Sequence, residues 1–280
     1  RPNVRLSHLI VDALDLPTGY TYGILILDPG GTVTVDHMAI ENFDSDGIYV
    51  LGSTPAVNLT VGPGFVAHGS GSAGLHLFSG TATIVGGAGA EHTSLTQNRF
   101  GIWVEAQGGV NVQGAAIDPA SPDVSDVDVD DNSGNGVWLN GDFPNGNVPT
   151  VSRVSGLHVA GNGSDGSDYW GAGIAGLGPL VLRGSYIANN GAGVAVYQNS
   201  AEDVDLGNPV GPDYGRNIFV GNTSWAICNQ SRPLLLAVGN IFGTVDCSVG
   251  GKLDPALLGP QANPIDCGDT TTVNVSNCTF

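Results

Sequence analysis

A four-residue phrase, glycine followed by an apolar residue, a variable residue and a second apolar residue, returns along this chain and constrains its fold more than any other feature. Gly101-Ile102-Trp103-Val104 states it most fully. Gly47-Ile48-Tyr49-Val50, Gly74-Leu75-His76-Leu77 and Gly136-Val137-Trp138-Leu139 repeat it, and Gly23-Ile24-Leu25-Ile26 and Gly193-Val194-Ala195-Val196 carry a smaller third residue. Successive side chains of a strand point to opposite faces, so the second and fourth residues turn inward and the third turns outward. The outward row then reads Leu25, Tyr49, His76, Trp103, Trp138 and Ala195, and the glycines are expected to leave a bare strip beside its rings.

The spacing of the phrase sets the architecture. Its first returns, from Gly23 to Gly47, Gly74 and Gly101, are 24, 27 and 27 residues apart, and two further strand-like runs lie between one return and the next. In the first cycle those runs are Thr32 to Val35 and Met38 to Ile40, set off by turns at Asp28 to Gly31 and Asn42 to Asp46. Such a period fits one coil of a three-sided solenoid. A single coil cannot bury its own inward Ile, Val and Leu, so stability must come from stacking coil on coil. Past Gly101 the returns spread to Gly136, Gly173 and Gly193, and the extra residues fall in polar, Gly- and Asp-rich segments 118–134, 140–150 and 161–171. Insertions of this kind map to turns.

Composition agrees with an all-β chain. The 280 residues include 44 Gly and 16 Pro and are 41% hydrophobic, a mixture that folds and turns often. No segment sustains an apolar helical stripe over three turns. Eight Lys and Arg stand against 26 acidic residues, a net charge of −18, which excludes nucleic acid as a partner. Polyuronates or sulfated glycans would need a bridging cation for the same reason. No apolar run is long enough to span a membrane and no leader with a cleavage site opens the sequence, so the chain reads as mature protein or a cut-out domain. Cys228, Cys247, Cys267 and Cys278 all lie in the last fifth of the chain, and their spacings fit no zinc motif. They are expected to form two disulfides in an oxidising compartment, with three connectivities open.

The phrases Asn189-Asn190-Gly191-Ala192-Gly193-Val194-Ala195-Val196, Asn217-Ile218-Phe219-Val220-Gly221-Asn222 and Val238-Gly239-Asn240-Ile241-Phe242 resemble the right-handed parallel β-helix repeats of the pectin-lyase-like superfamily. The resemblance covers nearly the whole chain. It implies a single right-handed parallel β-helix over residues 1–246 with a continuous, disulfide-stapled C-terminal cap at 247–280. Asn42, Asn98, Asn132, Asn162, Asn189 and Asn222 recur near strand ends and are expected to form a stacked polar rung. Val4 to Leu16 reads as an amphiphilic entry segment whose Leu6, Leu9, Ile10, Val11 and Leu14 cover one end of the solenoid or dock on another molecule.

The superfamily includes lyases, hydrolases, epimerases, adhesins and surface proteins, so activity must be argued from sites. Hydrolases of this family carry Asn-Thr-Asp, Asp-pair, Gly-His-Gly and Arg-Ile-Lys motifs. Here only Asp130-Asp131 and His68-Gly69 remain as fragments. Val35-Asp36-His37 resembles part of a pectate-lyase motif but lacks its Trp, and Arg99, Arg153 and Arg183 stand alone. Alternation in Asp126-Val127-Asp128-Val129-Asp130 puts Asp126, Asp128 and Asp130 on one face as hard oxygen ligands suited to calcium. No other cofactor is implied. Tyr49, His76, Trp103 and Trp138 offer a flat aromatic surface for a protein partner or a glycan, unless a long loop folds over it. The expectation is an extracellular or cell-surface structural or adhesive module that self-associates or binds a surface partner through an exposed aromatic ladder. The alternatives are a polysaccharide-active enzyme (lyase, epimerase or hydrolase) or a glycan-binding module.

Overall fold

The computed structural model describes residues 3–14, 19, 21–27, 31–52, 58–105, 108–118, 120–121, 124–140, 150–164, 171–176, 178–196, 204–207, 213–223, 225–229, 237, 239–242 and 249–251. Their strands form three sheets of eight, nine and nine members, and each sheet takes every third strand in chain order until the last two described strands, Ile241–Phe242 and Val249–Gly251, which extend the two nine-stranded sheets. We label the sheets A, B and C in the order the chain visits them. The first coil is Val4–Ser7, Ile10–Asp12 and Ile24–Leu27; the second is Thr32–Asp36, Ala39–Glu41 and Ile48–Leu51. Strands pair in parallel with their counterparts one coil away, which makes a three-sided parallel β-helix. Val249–Gly251 pairs with Trp225–Asn229 and carries the stack past the expected boundary at 246. Cys247, Cys267, Cys278 and the expected cap beyond Gly251 lie outside the described residues. Among the described residues no helix is long and apolar enough to cross a membrane.

The inward rows are aliphatic and stack in register. On sheet C, Ile48, Leu75, Ile102, Val137, Ile174 and Val194 lie one above another, all buried. Full burial of such a side chain contributes about 1.5–3 kcal/mol, and at several first-coil positions it is not reached. Val4 is 42% exposed where its partner Val33 is 6%, and Leu9 is 46% exposed where Met38, aligned with it one coil on, is 2%. Val4 to Asp12 of the expected entry segment supplies two strands of the first coil, and its Leu6 and Val11 pack against the core.

Between sheets B and C the chain turns a corner through one residue in the left-handed region. Asn42, Gly69, Gln97, Asp131, Gly161, Asn189 and Gly221 occupy it in successive coils, at φ between 54° and 71°. Asn and Gly suit that conformation best. The next residue then points into the core, and from the fourth coil onward it is asparagine: Asn98, Asn132, Asn162, Asn190 and Asn222. Each accepts a backbone hydrogen bond from the coil before it. Ser70 N–H donates to Asn98 Oδ1 at 2.9 Å, Asn98 to Asn132 and Asn132 to Asn162 at 3.0 Å, Asn162 to Asn190 at 3.0 Å and Asn190 to Asn222 at 3.1 Å. The Nδ2 groups donate back to carbonyls of the preceding coil, Asn132 to Leu95 at 3.1 Å and Asn162 to Val129 at 3.0 Å. A shorter ladder of Ser185, Asn217 and Asn240 serves the corner between sheets A and B. Four of the six expected rung residues thus stack; Asn42 and Asn189 take the left-handed position instead, and Asn190 is the rung.

The glycines that open the phrases face inward, and from Gly74 onward they face this ladder, which corrects the expected bare outer strip. A Cβ at Gly136 would lie 2.8 Å from Val159 Cγ1 and 2.9 Å from Asn162 Nδ2, with the Gly173 carbonyl at 2.7 Å. The space is filled from inside. Replacing Asn162 by Ala strands the Asn132 N–H and the Val129 carbonyl in the core, and each unsatisfied group costs about 1–3 kcal/mol. Asn162→Ala is expected to lose about 2–5 kcal/mol in urea unfolding, and Gly136→Ala about 1–3 kcal/mol from overpacking; losses well under 1 kcal/mol in both would show that the ladder does not support the stack.

Candidate functional site

The outer face of sheet C carries the aromatic row in the register that the phrase spacing implies. Tyr49 pairs with His76, His76 with Trp103 and Trp103 with Trp138, and the row continues through Ala175, Ala195 and Cys228. Tyr22 joins the stack against Tyr49 at 5.2 Å between ring centroids. His76 then sits between Tyr49 at 4.7 Å and Trp103 at 4.2 Å, nearly coplanar with the indole at 2°.

The row is less open than expected. Leu25 is exposed and Tyr49 and Trp103 are half-buried, but His76 and Trp138 are buried. Trp138 joins Phe100, Ala175 and Ala195 in a second apolar cluster outside the core, with Trp103 packed on it. The rings cover one another and Phe100, so the expectation of a fully exposed ladder is corrected: of its four aromatic members Tyr49 and Trp103 meet solvent partly, and His76 and Trp138 are buried.

His76 is more than a member of this stack. Its Nδ1 lies 3.2 Å from Asp46 Oδ2, and its Nε2 lies 3.6 Å from Glu105 Oε2, an ion-pair distance just beyond hydrogen-bond reach. Asp46 is held in turn by the Ala73 N–H at 2.9 Å. Burial pulls the imidazole toward its neutral form, yet the bonds and charges of Asp46 and Glu105 outweigh it and raise the His76 pKa above its ordinary value. The cation so favoured lies between two aromatic faces, which attract it further. The phrase spacing found His76, Tyr49 and Trp103; Asp46 and Glu105 were missed, although Asp46 stands just before the Gly47 phrase and Glu105 just after the Gly101 phrase.

The aspartate run behaves differently from the calcium expectation. Val127 and Val129 are fully buried and the aspartates face outward, as alternation requires. Asp126, however, accepts a hydrogen bond from Ala115 N–H at 3.0 Å and stands apart. Asp128 and Asp130 converge on His158, one coil further on: His158 Nδ1 is 2.9 Å from Asp130 Oδ2 and 4.0 Å from Asp128 Oδ1. The Ala160 N–H fixes Asp130 Oδ1 at 2.7 Å, and Tyr186 stacks on His158 at 5.1 Å. Burial, helped by the charge of Asp128, holds the Asp130 carboxyl above its usual range against the opposite pull of His158. His158 was missed because its strand carries no charge pattern; only its register one coil beyond Asp128 would have found it.

Two of the few arginines are tied up structurally. Arg183 Nη2 contacts Asp205 and Asp213, both at 2.8 Å, and Arg5 Nε reaches Asp36 at 2.8 Å. Cys228 is buried at the end of the aromatic row. No family model, curated protein or solved structure matches this chain.

Because the folded pKa of His76 is raised, its contribution to stability is fully present below the unfolded value near 6.5 and is lost as pH rises through the folded value. Thermal unfolding followed from pH 6 to pH 9 is expected to show a fall in melting temperature that His76→Gln flattens. An equal fall in the variant would remove His76 as its source.

Proposed function

We propose that this chain is a structural or adhesive module of the extracellular medium or cell surface, a β-helix of the pectin-lyase-like superfamily that assembles through its first coil. The observation that carries this reading is an apolar patch on the outer faces of that coil. Ile10 on sheet B, Leu25 and Leu27 on sheet C and Leu14 beside them are exposed, and Ile10 is 77% exposed. Exposed apolar patches of this kind mark interaction surfaces. A second copy of this chain is the occupant we favour, because it carries the same patch and two like surfaces meet by twofold symmetry.

The acidic surface bears on this reading as well. A net charge of −18 repels like copies at low salt and is screened within about 10 Å at 0.1 M, so association should strengthen with ionic strength. Pairing of Cys228, Cys247, Cys267 and Cys278 as disulfides fits an oxidising location and would close the far end of the stack. A glycan-binding module is the second reading, favoured by the half-open Tyr49 and Trp103 faces, against which a sugar ring can stack.

Sedimentation velocity at moderate salt separates the two readings. The wild type is expected to sediment as a dimer or larger species, and the Ile10→Asp, Leu27→Asp double variant as a folded monomer. A wild type that stays monomeric at all salt concentrations overturns assembly through the first coil; retention of that monomer on a polysaccharide gel, lost with Trp103→Ala, would favour the glycan reading.

A further inference from the structure

We propose that Asp128, Asp130, His158 and His92 form a binding site for a divalent transition-metal ion of the zinc class, on the outer face of sheet B and independent of the first-coil surface. The four side chains come from three successive coils, so their convergence is a product of the stack and not of a local acidic run. His92 stands just before the Thr93–Thr96 strand, Asp128 and Asp130 belong to the next coil, and His158 to the one after.

The convergence of ligand atoms from Asp128, Asp130 and His158 is the observation that points to a cation, and His92 is turned toward it. Its Nδ1 lies 3.1 Å from the Gly89 carbonyl, which can only accept, so in that bond Nδ1 carries the proton. In the neutral ring Nε2 then presents a lone pair, and it faces Asp128 Oδ2 at 3.5 Å. A proton on Nε2 can fill that contact in the free protein, and a divalent cation can take its place. A histidine whose other ring nitrogen donates to a backbone carbonyl is also the arrangement that orients metal ligands.

The distances fit a small ion. Ligands about 2.0–2.1 Å from a tetrahedral zinc are separated from one another by about 3.3 Å. The pairs here, 2.9 Å from His158 Nδ1 to Asp130, 3.5 Å from His92 Nε2 to Asp128 and 4.0 Å from His158 Nδ1 to Asp128, bracket that separation. One ligand atom from each of Asp128, Asp130 and His158 lies within 4.8 Å of the others; His92 stands outside that tight group, reaches it through Asp128 and would have to swing inward to complete it. Asp130 is already held by the Ala160 N–H and the His158 ring is held by Tyr186, so two ligands are positioned before any ion arrives.

The donor set also selects the metal. Calcium takes six to eight oxygen ligands, whereas two imidazole nitrogens with two carboxylates suit zinc and its neighbours. The calcium set expected from Asp126, Asp128 and Asp130 is replaced by one in which histidines take the place of Asp126. Binding would displace the proton that His158 Nδ1 shares with Asp130, so uptake of the ion releases protons and weakens in acid.

Isothermal titration of the chelator-treated full chain with Zn²⁺, and separately with Ca²⁺, tests the site. One saturable Zn²⁺ site per chain is expected, with no competition from millimolar Ca²⁺. His92→Gln, a change at a half-exposed side chain that leaves the sheets intact, is expected to weaken binding at least tenfold, and Asp128→Asn to abolish it. Absence of saturable Zn²⁺ binding, preference for Ca²⁺, or unchanged affinity in both variants would overturn the proposal.

Discussion

The stack depends on the hydrogen bond from the backbone of one coil to the side-chain oxygen of an asparagine in the next. A corner of a β-helix leaves backbone N–H and C=O groups pointing inward, where sheet pairing does not reach them. Asn132, Asn162 and Asn190 satisfy both kinds at once, with Oδ1 receiving the N–H of the coil before and Nδ2 returning to a carbonyl of that coil. The ladder therefore fixes the register of coil on coil at the corner between sheets B and C. It also shapes the phrase by which the chain is recognised, because Gly74, Gly101, Gly136, Gly173 and Gly193, at the start of strands of sheet C, lie against asparagine amides and have no room for a Cβ.

From that register the outer faces follow. Tyr49, His76 and Trp103 stack because Ile48, Leu75 and Ile102 stack behind them, and Asp128 meets His158 because Val127 pairs with Leu157. A row that began as a pattern of one residue per coil becomes a column about one strand spacing apart, roughly 4.8 Å, which is also a comfortable distance for rings. Polar members of such a column are drawn into contact in the same way. This is how His76 comes to lie between Asp46 and Glu105, and how an acidic chain with few cations gathers histidine–carboxylate contacts on its outer face.

The three-sided architecture was legible in the sequence because its period is carried by strongly constrained residues: inward aliphatics, a glycine that admits no side chain, and a rung asparagine. The exact corner was not. Asn189 and Asn190 are both asparagines, and only the left-handed backbone at Asn189 shows which of them turns inward. Alternation also misplaced the glycine, since it assigns an outer face to a residue that bends toward the core at the corner. The candidate sites were half legible. The members contributed by a repeated phrase, His76 and Trp103, were found, whereas Asp46, Glu105, His92 and His158 enter from other segments and only the register brings them in. Exposure was the least legible quantity, because Trp138 and His76 look alike in sequence whether solvent or protein lies outside them.

Hydrogen–deuterium exchange at low and high protein concentration tests most directly the central claim that a ladder-bonded stack assembles through its first coil. The amides of Asn98, Asn132, Asn162 and Asn190 are expected to exchange slowest at both concentrations, and those of Val4–Ser7 and Ile10–Asp12 to exchange fast when dilute and to gain protection when concentrated. Ladder amides that exchange as fast as surface turns, or first-coil amides indifferent to concentration, would contradict it.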